Sequence, residues 1–250
     1  MKIAATAAVL MSLSATAFEA TTAALQTTAQ PAPRIYADQA HGQAPYVDAY
    51  KPLATKIGAE IVGASGPITA DSLRGFRLVI VRVPGLEYTA DERAAIVDFV
   101  RKGGSLLLAF DEERRAPLAK TGVNEIIAPL GMKLTDDTEY LHNNGAIAKK
   151  GVIHAADREL PFSGGRAVEG GTPFAWQLDK DGKPGQVFAA SATIGKTGKV
   201  IVLGDAMATL FMGTPEGVRL TGVPRDPSRT TYWGKDSVVF MEEMLTWLIK

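Results

Sequence analysis

Hydrophobic runs and helical spacing alternate along the chain from residue 34 onward. Apolar runs of strand length occur at 34–37, 60–63, 78–83 and 104–110, and segments with apolar residues three or four positions apart lie between them. The run at 78–83 (Leu-Val-Ile-Val-Arg-Val) is apolar at nearly every position, which is typical of a parallel strand buried on both faces. This alternation predicts an α/β fold with three layers, built on a mostly parallel sheet of the flavodoxin-like kind.

The clearest helix signal lies between the third and fourth predicted strands. Thr89 and Glu92 have the spacing of a capping box, Lys102 suits the negative end of a helix, and Gly103 is a typical stop. The apolar stripe of this helix consists of Ile96, Val97 and Val100. We therefore expect a strand–helix–strand unit across residues 78–110.

Shorter elements are expected on either side of this unit. A helix is predicted near Tyr50, and Pro52 either lies in its first turn or kinks it. The remaining short patterns predict a helical turn at 68–73, a short helix at 124–130 and strands near 151–153 and 166–168.

The last part of the chain predicts a hairpin followed by a helix. Strands at 187–192 and 199–203 flank the turn Gly195-Lys196-Thr197-Gly198, which indicates an antiparallel hairpin. Asp236 is expected to cap the last helix, 236–249. The buried stripe of that helix is predicted to contain Phe240, Met244, Leu245 and Leu248.

The N-terminal residues have the pattern of a signal peptide. Lys2 gives a positive start, residues 3–13 are mostly apolar, and Ala15-Thr16-Ala17 is an A-x-A cleavage site, so the signal peptide is predicted to span residues 1–17. The alternative is a membrane helix, which needs about 20 apolar residues. This stretch is shorter and is followed by a Thr-rich polar sequence.

The signal peptide predicts the location and the division of the chain. Residues 18–33, rich in Ala, Thr, Gln and Pro, are expected to be a flexible leader. Residues 34–250 are expected to form a single α/β domain. The mature protein is then predicted to be periplasmic or secreted, with no transmembrane segment after signal removal.

Charge and cysteine content exclude several kinds of function. Basic and acidic residues number 27 each, so no net charge favours binding to nucleic acid or to an anionic membrane. The absence of cysteine excludes disulfides, thiolate metal sites and a cysteine nucleophile. The turn at 195–198 lacks the G-x-x-x-x-G-K-[ST] pattern of a phosphate loop and lies between strands, so no cofactor is expected.

Four segments resemble the class I glutamine amidotransferase-like superfamily. They are YADQAHGQ after the first strand, YTADERAAIVDFVRKGGSLLLAFDE in the middle, VIVLGDAMATLF later and DSVVFMEEMLTWLIK at the end. Their order is most similar to a non-catalytic branch found in gliding-motility transport proteins, intraflagellar-transport proteins and exported bacterial proteins. The resemblance covers residues 34–250 and implies an amidotransferase-like α/β fold.

The sequence departs from this superfamily at the residue that its chemistry requires. In amidotransferases the strand equivalent to residues 105–110 leads into a tight elbow that carries the nucleophilic cysteine. Here the turn is Phe110-Asp111-Glu112-Glu113, with neither a cysteine nor a G-x-S-x-G serine elbow. Glutamine amidotransferase activity is therefore excluded, and the resemblance implies a domain that keeps the fold without that chemistry.

Polar residues that follow the predicted strands form the candidate site. Ligands of open α/β sheets collect at the carboxyl ends of the strands. The candidates at this edge are Asp38, His41, Gln43, Glu87, Asp111, Glu112 and Asp205. They predict a cleft for a polar ligand, while the alternative is that the aspartates only cap the following turns. His41 is the most informative of them, because a loop histidine after a strand has no evident role in a core.

No metal site is assigned from the sequence. Carboxylates with one imidazole suit Mg²⁺, Mn²⁺ or Zn²⁺, but neither H-E-x-x-H nor H-x-H spacing occurs. His142, next to two asparagines, is expected in a solvated loop. His154 is expected at a strand end, where it would hold a turn together.

Further ligand-binding candidates lie in the long segment before the last helix, and they are Arg225, Arg229, Tyr232 and Trp233. Loops of this length often act as lids or binding loops. Arginines beside aromatic rings suit stacking on sugars or clamping of an anion. The alternative is that Tyr232 and Trp233 pack under the last helix while the arginines stay solvated.

These patterns predict an exported, non-enzymatic binding domain of the cell envelope that recognises a glycan, a small polar ligand or an envelope protein. One alternative is a metal-assisted hydrolase acting on a carbohydrate or ester, with Asp111 or Asp205 as metal ligand or base and His41 as acid or base. Another is a scaffold within an export or surface complex, which would expose a large apolar patch rather than a polar cleft.

Overall fold

A computed structural model describes residues 31–137, 145–162, 164–217 and 233–250. The predicted signal peptide and nearly all of the predicted leader lie outside these residues. The compact unit Ala32–Lys250 contains every element named below. Within the described ranges, no helix has the length and apolar character needed to cross a membrane.

Eleven strands and four α-helices make up the described fold. The strands are β1 (Arg34–Asp38), β2 (Glu60–Ala64), β3 (Leu78–Arg82), β4 (Ser105–Ala109), β5 (Met132–Asp137), β6 (Ala146–Ala148), β7 (Arg158–Leu160), β8 (Arg166–Gly170), β9 (Thr172–Leu178), β10 (Pro184–Ile194) and β11 (Gly198–Leu203). The helices are α1 (Val47–Lys56), α2 (Ala90–Arg101), α3 (Val123–Ile127) and α4 (Ser237–Ile249).

Nine of these strands form one sheet, in the spatial order β2-β1-β3-β4-β11-β10-β9-β6-β7. The first five strands in that order pair in parallel. The remaining four pair antiparallel, beginning with the β10–β11 hairpin that the sequence predicted. Strands β5 and β8 form a separate antiparallel pair.

Helices cover both faces of the sheet, and alternate strand residues point to different cores. Leu78 and Ile80 of β3 belong to the core beneath α1 and α4. Val79 and Val81 belong to the core beneath α2 and α3. All four side chains are essentially unexposed, and full burial of such a side chain contributes about 1.5–3 kcal/mol. The predicted α/β fold with three layers is therefore confirmed.

The best-supported helix prediction, α2, is confirmed down to its cap. The Thr89 side chain accepts a hydrogen bond from the Glu92 backbone N–H, and the Glu92 carboxylate accepts one from the Thr89 N–H at 2.9 Å. The predicted stripe is buried as well, with Ile96, Val97 and Val100 all in the core. Helix α1 begins at Val47 and includes Pro52, so the proline lies inside the helix rather than before it.

The last helix, α4, has the predicted core face but a different cap. Phe240, Met244, Leu245 and Leu248 are all fully buried. Asp236 precedes the helix, yet its carboxylate caps no N–H of α4. It accepts instead from the Glu159 backbone N–H at 2.8 Å, because the end of β7 lies beside the start of α4.

The predicted strand near residues 151–153 is wrong. A tight turn occupies this position, in which the Gly151 N–H donates to the His154 carbonyl at 2.9 Å and Val152 is 89% exposed at the tip. The neighbouring strand is β6, five residues earlier, which pairs with β7 and β9. Val152 and Ile153 are apolar and suggested a strand, but no strand of the described residues pairs with them.

Candidate functional site

The predicted strand-end candidates do lie at the carboxyl edge of the parallel strands. Asp38 ends β1, while Asp111 and Asp205 each lie two residues beyond β4 and β11. Ala109 and Leu203 are partners across β4 and β11, so Asp111 and Asp205 follow matching positions on adjacent strands. Strand β3 separates β1 from β4, so the strands that Asp38 and Asp111 follow are about 10 Å apart across the sheet.

Asp38 and His41 form the centre of a buried polar cluster. His41 is 5% exposed, and its Nδ1 lies 2.9 and 3.1 Å from the two carboxylate oxygens of Asp38. The Gln43 side-chain amide donates to the same carboxylate at 2.6 Å, and the Tyr88 hydroxyl also donates to it. The Tyr88 ring stacks on the imidazole with centroids 3.8 Å apart.

A second carboxylate faces the other nitrogen of His41. The Nε2 atom lies 3.3 Å from Glu92, the capping-box residue of α2. Burial by itself lowers the pKa of His41, but the adjacent Asp38 and Glu92 carboxylates outweigh it, so the pKa lies above its ordinary value. With Nδ1 and Nε2 both facing a carboxylate, the imidazole bridges the end of β1 to the start of α2.

The backbone around His41 holds the same cluster in place. The His41 carbonyl accepts from the N–H groups of Gly85 and Leu86 at 2.7 and 3.1 Å. Gly42 has a φ of +74°, a conformation that glycine adopts without strain. Asp38 also caps its own turn by accepting from the Ala40 N–H at 3.0 Å. His41, which the sequence predicted to bind a ligand, is therefore buried and connects the loop after β1 to the loop after β3 and to α2.

The acidic turn after β4 is closed by arginines that follow it in the sequence. Asp111 accepts from the Glu112 backbone N–H at 2.9 Å and lies 3.4 Å from the Arg115 guanidinium. Arg114 donates to the Glu112 carboxylate at 2.8 Å, and Arg115 approaches it at 3.3 Å. Asp111 and Glu112 are buried, whereas Arg114 and Arg115 are 74% and 47% exposed. Burial is the main cause that raises the pKa of Asp111, against the opposing effect of Arg115.

Arg166, which the sequence did not single out, holds this turn from beneath. Its guanidinium is 1% exposed and donates to the carbonyls of Asp111 at 3.0 Å and Thr135 at 3.1 Å, and more weakly to that of Ala116 at 3.4 Å. It also pairs with the Glu113 carboxylate. One side chain thus ties the acidic turn to β5 and β8.

Asp205 supports the turn that follows β11. Its carboxylate is buried and accepts from the Met207 backbone N–H at 2.6 Å. The chain at Gly165 and Arg166 passes so close to Gly204 that a Cβ on Gly204 would overlap the Arg166 carbonyl. Burial by itself lowers the pKa of Arg115, but the carboxylates of Asp111, Glu112 and Asp205 outweigh it, so the pKa is raised. Asp205 therefore shares the electrostatic environment of the acidic turn.

The predicted binding loop, 213–235, is described only at its two ends, 213–217 and 233–235. Arg225, Arg229 and Tyr232 lie outside the described residues, as does His142. Trp233 is 7% exposed and packs against Met207 and Met212.

His154, the remaining histidine, belongs to a separate buried group. Its Nδ1 donates to the Glu243 carboxylate of α4 at 2.9 Å, and its ring stacks on Phe240. Burial alone would raise the pKa of Glu243, but hydrogen bonds from Arg158 and His154 outweigh it and lower that pKa to about 2. Among the described residues no hydrogen-bond partner faces Nε2 of His154. Burial lowers the pKa of His154, so the neutral form is favoured.

The strand-end candidates thus form two groups rather than one cleft. His41 contacts Asp38, Glu92 and Tyr88, whereas Asp111 contacts Glu112 and Arg115. Two cavities lined by described residues have volumes of about 410 and 650 Å³, and neither includes His41, Asp111 or Asp205. Within the described ranges, no group of three or more His, Asp or Glu side chains is arranged to hold a metal ion.

Sequence comparisons give no match. No protein-family model matches the chain, and neither does any curated protein. Solved structures do match, among them the mmIFT52 N-terminal domain, with a TM-score of 0.61 and 16% identity over 86% of this chain and 97% of that one. That similarity is one of fold.

Two further solved structures match with lower TM-scores. A GMP synthase protein from Thermoplasma acidophilum has a TM-score of 0.46 and 11% identity over 87% of this chain and 94% of that one. A ThuA-like protein from Bacteroides uniformis has a TM-score of 0.45 and 12% identity over 88% of this chain and 93% of that one.

Proposed function

We propose that this protein is an exported, non-enzymatic interaction domain of the cell envelope, related to the non-catalytic branch of the amidotransferase-like superfamily. The observation that carries the proposal is the ion-paired state of the acidic turn. At the position where the family places its nucleophile, Asp111 and Glu112 are buried and paired with Arg114 and Arg115. Carboxylates bound in this way stabilise a loop and are poorly placed to accept a proton from a substrate.

The side chains that remain available at this edge are exposed and mixed in character. Leu86 is 56% exposed, and the nearby Glu87 side chain is 70% exposed. Arg114 and Arg115, which pair with the buried acids after β4, have exposed side chains. We call Leu86, Glu87, Arg114 and Arg115 the carboxyl-edge surface.

A protein partner suits this surface better than a small ligand. Small-molecule sites are concave and mostly apolar. Protein interfaces combine an apolar contact with arginine and a polar rim. The carboxyl-edge surface offers Leu86 as the apolar contact and Arg114 as a long cationic arm, on loops that the buried polar clusters hold rigid. Rigid loops reduce the entropic cost of association.

Site-specific photo-crosslinking in cells of the source organism tests the proposal. Benzoylphenylalanine placed at position Leu86 should give a discrete crosslinked species in the envelope fraction. The matched control is the same group at Lys133, an exposed residue of β5 in the separate two-stranded sheet. The same adduct pattern from both positions, or no adduct from position 86, would contradict the proposed surface.

Export and chemistry are tested on the same chain. Expression of the full chain in a Gram-negative host should yield a periplasmic protein whose first residue is Phe18, as the Ala15-Thr16-Ala17 site predicts. Turnover of p-nitrophenyl acetate or p-nitrophenyl glycosides that disappears in Asp111→Asn would favour the hydrolase instead.

A further inference from the structure

A cavity of about 410 Å³ lies at the opposite edge of the sheet, beside the amino ends of β3 and β4. Arg77 directly precedes β3, and Gly103 and Gly104 directly precede β4. The cavity therefore shares no residue with the carboxyl-edge surface. Its volume falls within the range of about 300–1,000 Å³ that is typical of small-molecule sites.

Two partly exposed aromatic rings line this cavity. The Phe76 ring is fixed by an edge contact with Tyr36, with centroids 5.3 Å apart, and by the Arg34 guanidinium 4.4 Å from its centroid. The Phe99 ring lies so close to Gly104 that any Cβ there would overlap it. Leu73 and Ala95 add apolar surface. The rings are therefore held in place before any ligand arrives.

The charged residues around these rings are mainly basic. Arg74, Arg77 and Lys102 line the cavity, against a single acidic side chain, Asp98. Lys102 lies 3.8 Å from Asp98, and Arg74 pairs with Asp71 just outside the cavity, which leaves Arg77 as the basic residue of the cavity without an ion pair to any described residue.

Arg77 is the cation whose charge is least compensated. Its guanidinium donates to the carbonyl oxygens of Gly103 and Ile249, which are neutral acceptors. Burial lowers the pKa of the neighbouring Lys199, and the positive charges of Arg77 and Lys250 lower it further. The amino edge thus has a positive local field, although the chain as a whole has no net charge.

We propose that this cavity binds a small aromatic anion, with its ring system against Phe76 and Phe99 and its carboxylate or sulfonate group facing Arg77 and Lys102. Apolar walls bury the ring of the ligand, and its contacts with the two phenylalanine rings add to the attraction in favourable geometry. Guanidinium and ammonium groups donate charge-assisted hydrogen bonds to the acid.

Binding of 8-anilinonaphthalene-1-sulfonate to the full folded chain tests the proposal, with 2-naphthoate and neutral 2-naphthol as competitors. Ala95→Trp fills the cavity and should weaken binding at least tenfold. Ala94→Trp, at the preceding and exposed position of α2, should change probe binding less than twofold. Naphthoate should displace the probe, whereas naphthol should do so at least fivefold less well.

Charge reversal gives a second comparison that does not depend on filling the cavity. Lys102→Glu should weaken probe binding at least fivefold, and Lys133→Glu, an exposed lysine elsewhere, less than twofold. Unchanged binding in a folded Ala95→Trp variant, equal competition by naphthol, or equal effects of the two lysine variants would overturn the proposal. A failure to fold of Ala95→Trp leaves the lysine pair as the deciding test.

Discussion

Replacement of the buried Arg166 should destabilise the protein much more than replacement of an exposed arginine of the acidic turn. Arg166→Met keeps most of the side-chain volume and removes the guanidinium. The buried carbonyls of Asp111 and Thr135 then lose their donor, as does that of Ala116. Each hydrogen bond from a charged donor contributes about 1.5–3 kcal/mol, so the two shorter bonds, to Asp111 and Thr135, together contribute about 3–6 kcal/mol.

The loss is measured by urea unfolding followed by tryptophan fluorescence. The expected decrease of about 3–6 kcal/mol lowers the unfolding midpoint by roughly 1 M or more, given a slope of about 1–3 kcal/mol per molar urea. Arg166→Lys keeps the charge without the fork and should fall between the wild type and Arg166→Met. Arg114→Met is the matched control, because Arg114 is 74% exposed and the buried Glu112 carboxylate keeps Arg115 as a partner, so we expect a loss of at most about 1 kcal/mol. Equal losses in Arg166→Met and Arg114→Met would refute the distinction.

Three further predictions concern single positions. Because the pKa of His154 is lowered in the folded protein, the unfolded chain binds this proton first, and stability should fall as pH drops below about 6.5. The melting temperature of His154→Phe should therefore depend less on pH between 7 and 5 than that of the wild type, and an unchanged dependence would contradict this. Because the pKa of Asp111 is raised, its ionisation costs stability at neutral pH. Asp111→Asn should therefore raise the melting temperature at pH 7 but not below pH 3.8, and a decrease at pH 7 would contradict this. Gly204→Ala should destabilise strongly, by about 3 kcal/mol or more, because its Cβ would overlap the Arg166 carbonyl, whereas Gly66→Ala, with open space, should change stability by less than about 1 kcal/mol in urea titrations; similar values for the two would exclude the close approach.

Local signals predicted the parallel part of the fold well. The α2 cap depends on Thr89 and Glu92, which are three residues apart, and the buried runs of β3 and β4 are continuous in the sequence. Such features need no knowledge of distant residues. Strands β5, β6, β7 and β9 were missed because their patterns are short or interrupted by polar residues, and the partner of β5 lies about thirty or more residues later in the chain.

The candidate site was predicted as residues at one edge but not as contacts. Sequence placed Asp38 and His41 after a strand, yet nothing local shows that Tyr88 and Glu92, some fifty residues later, enclose them. A signal for the second group was present: two acids at 111 and 112 precede Arg115 at helical spacing, which favours ion pairing. Arg166 has no such signal, because its partners lie about fifty residues earlier.

The most direct test of the central claim compares two arginines by two measurements on the same preparations. We expect Arg114→Met to remove most of the crosslink formed from position Leu86 and to leave the melting temperature within about 4 °C of wild type, because Arg114 is exposed and the Glu112 carboxylate keeps Arg115 as a partner. Arg166→Met should lower the melting temperature by about 10 °C, given roughly 2–4 °C per kcal/mol for a domain of this size. An Arg114→Met variant that keeps the full crosslink, or that melts as early as Arg166→Met, would contradict the claim that the buried Arg166 holds the acidic turn while the exposed Arg114 binds a partner.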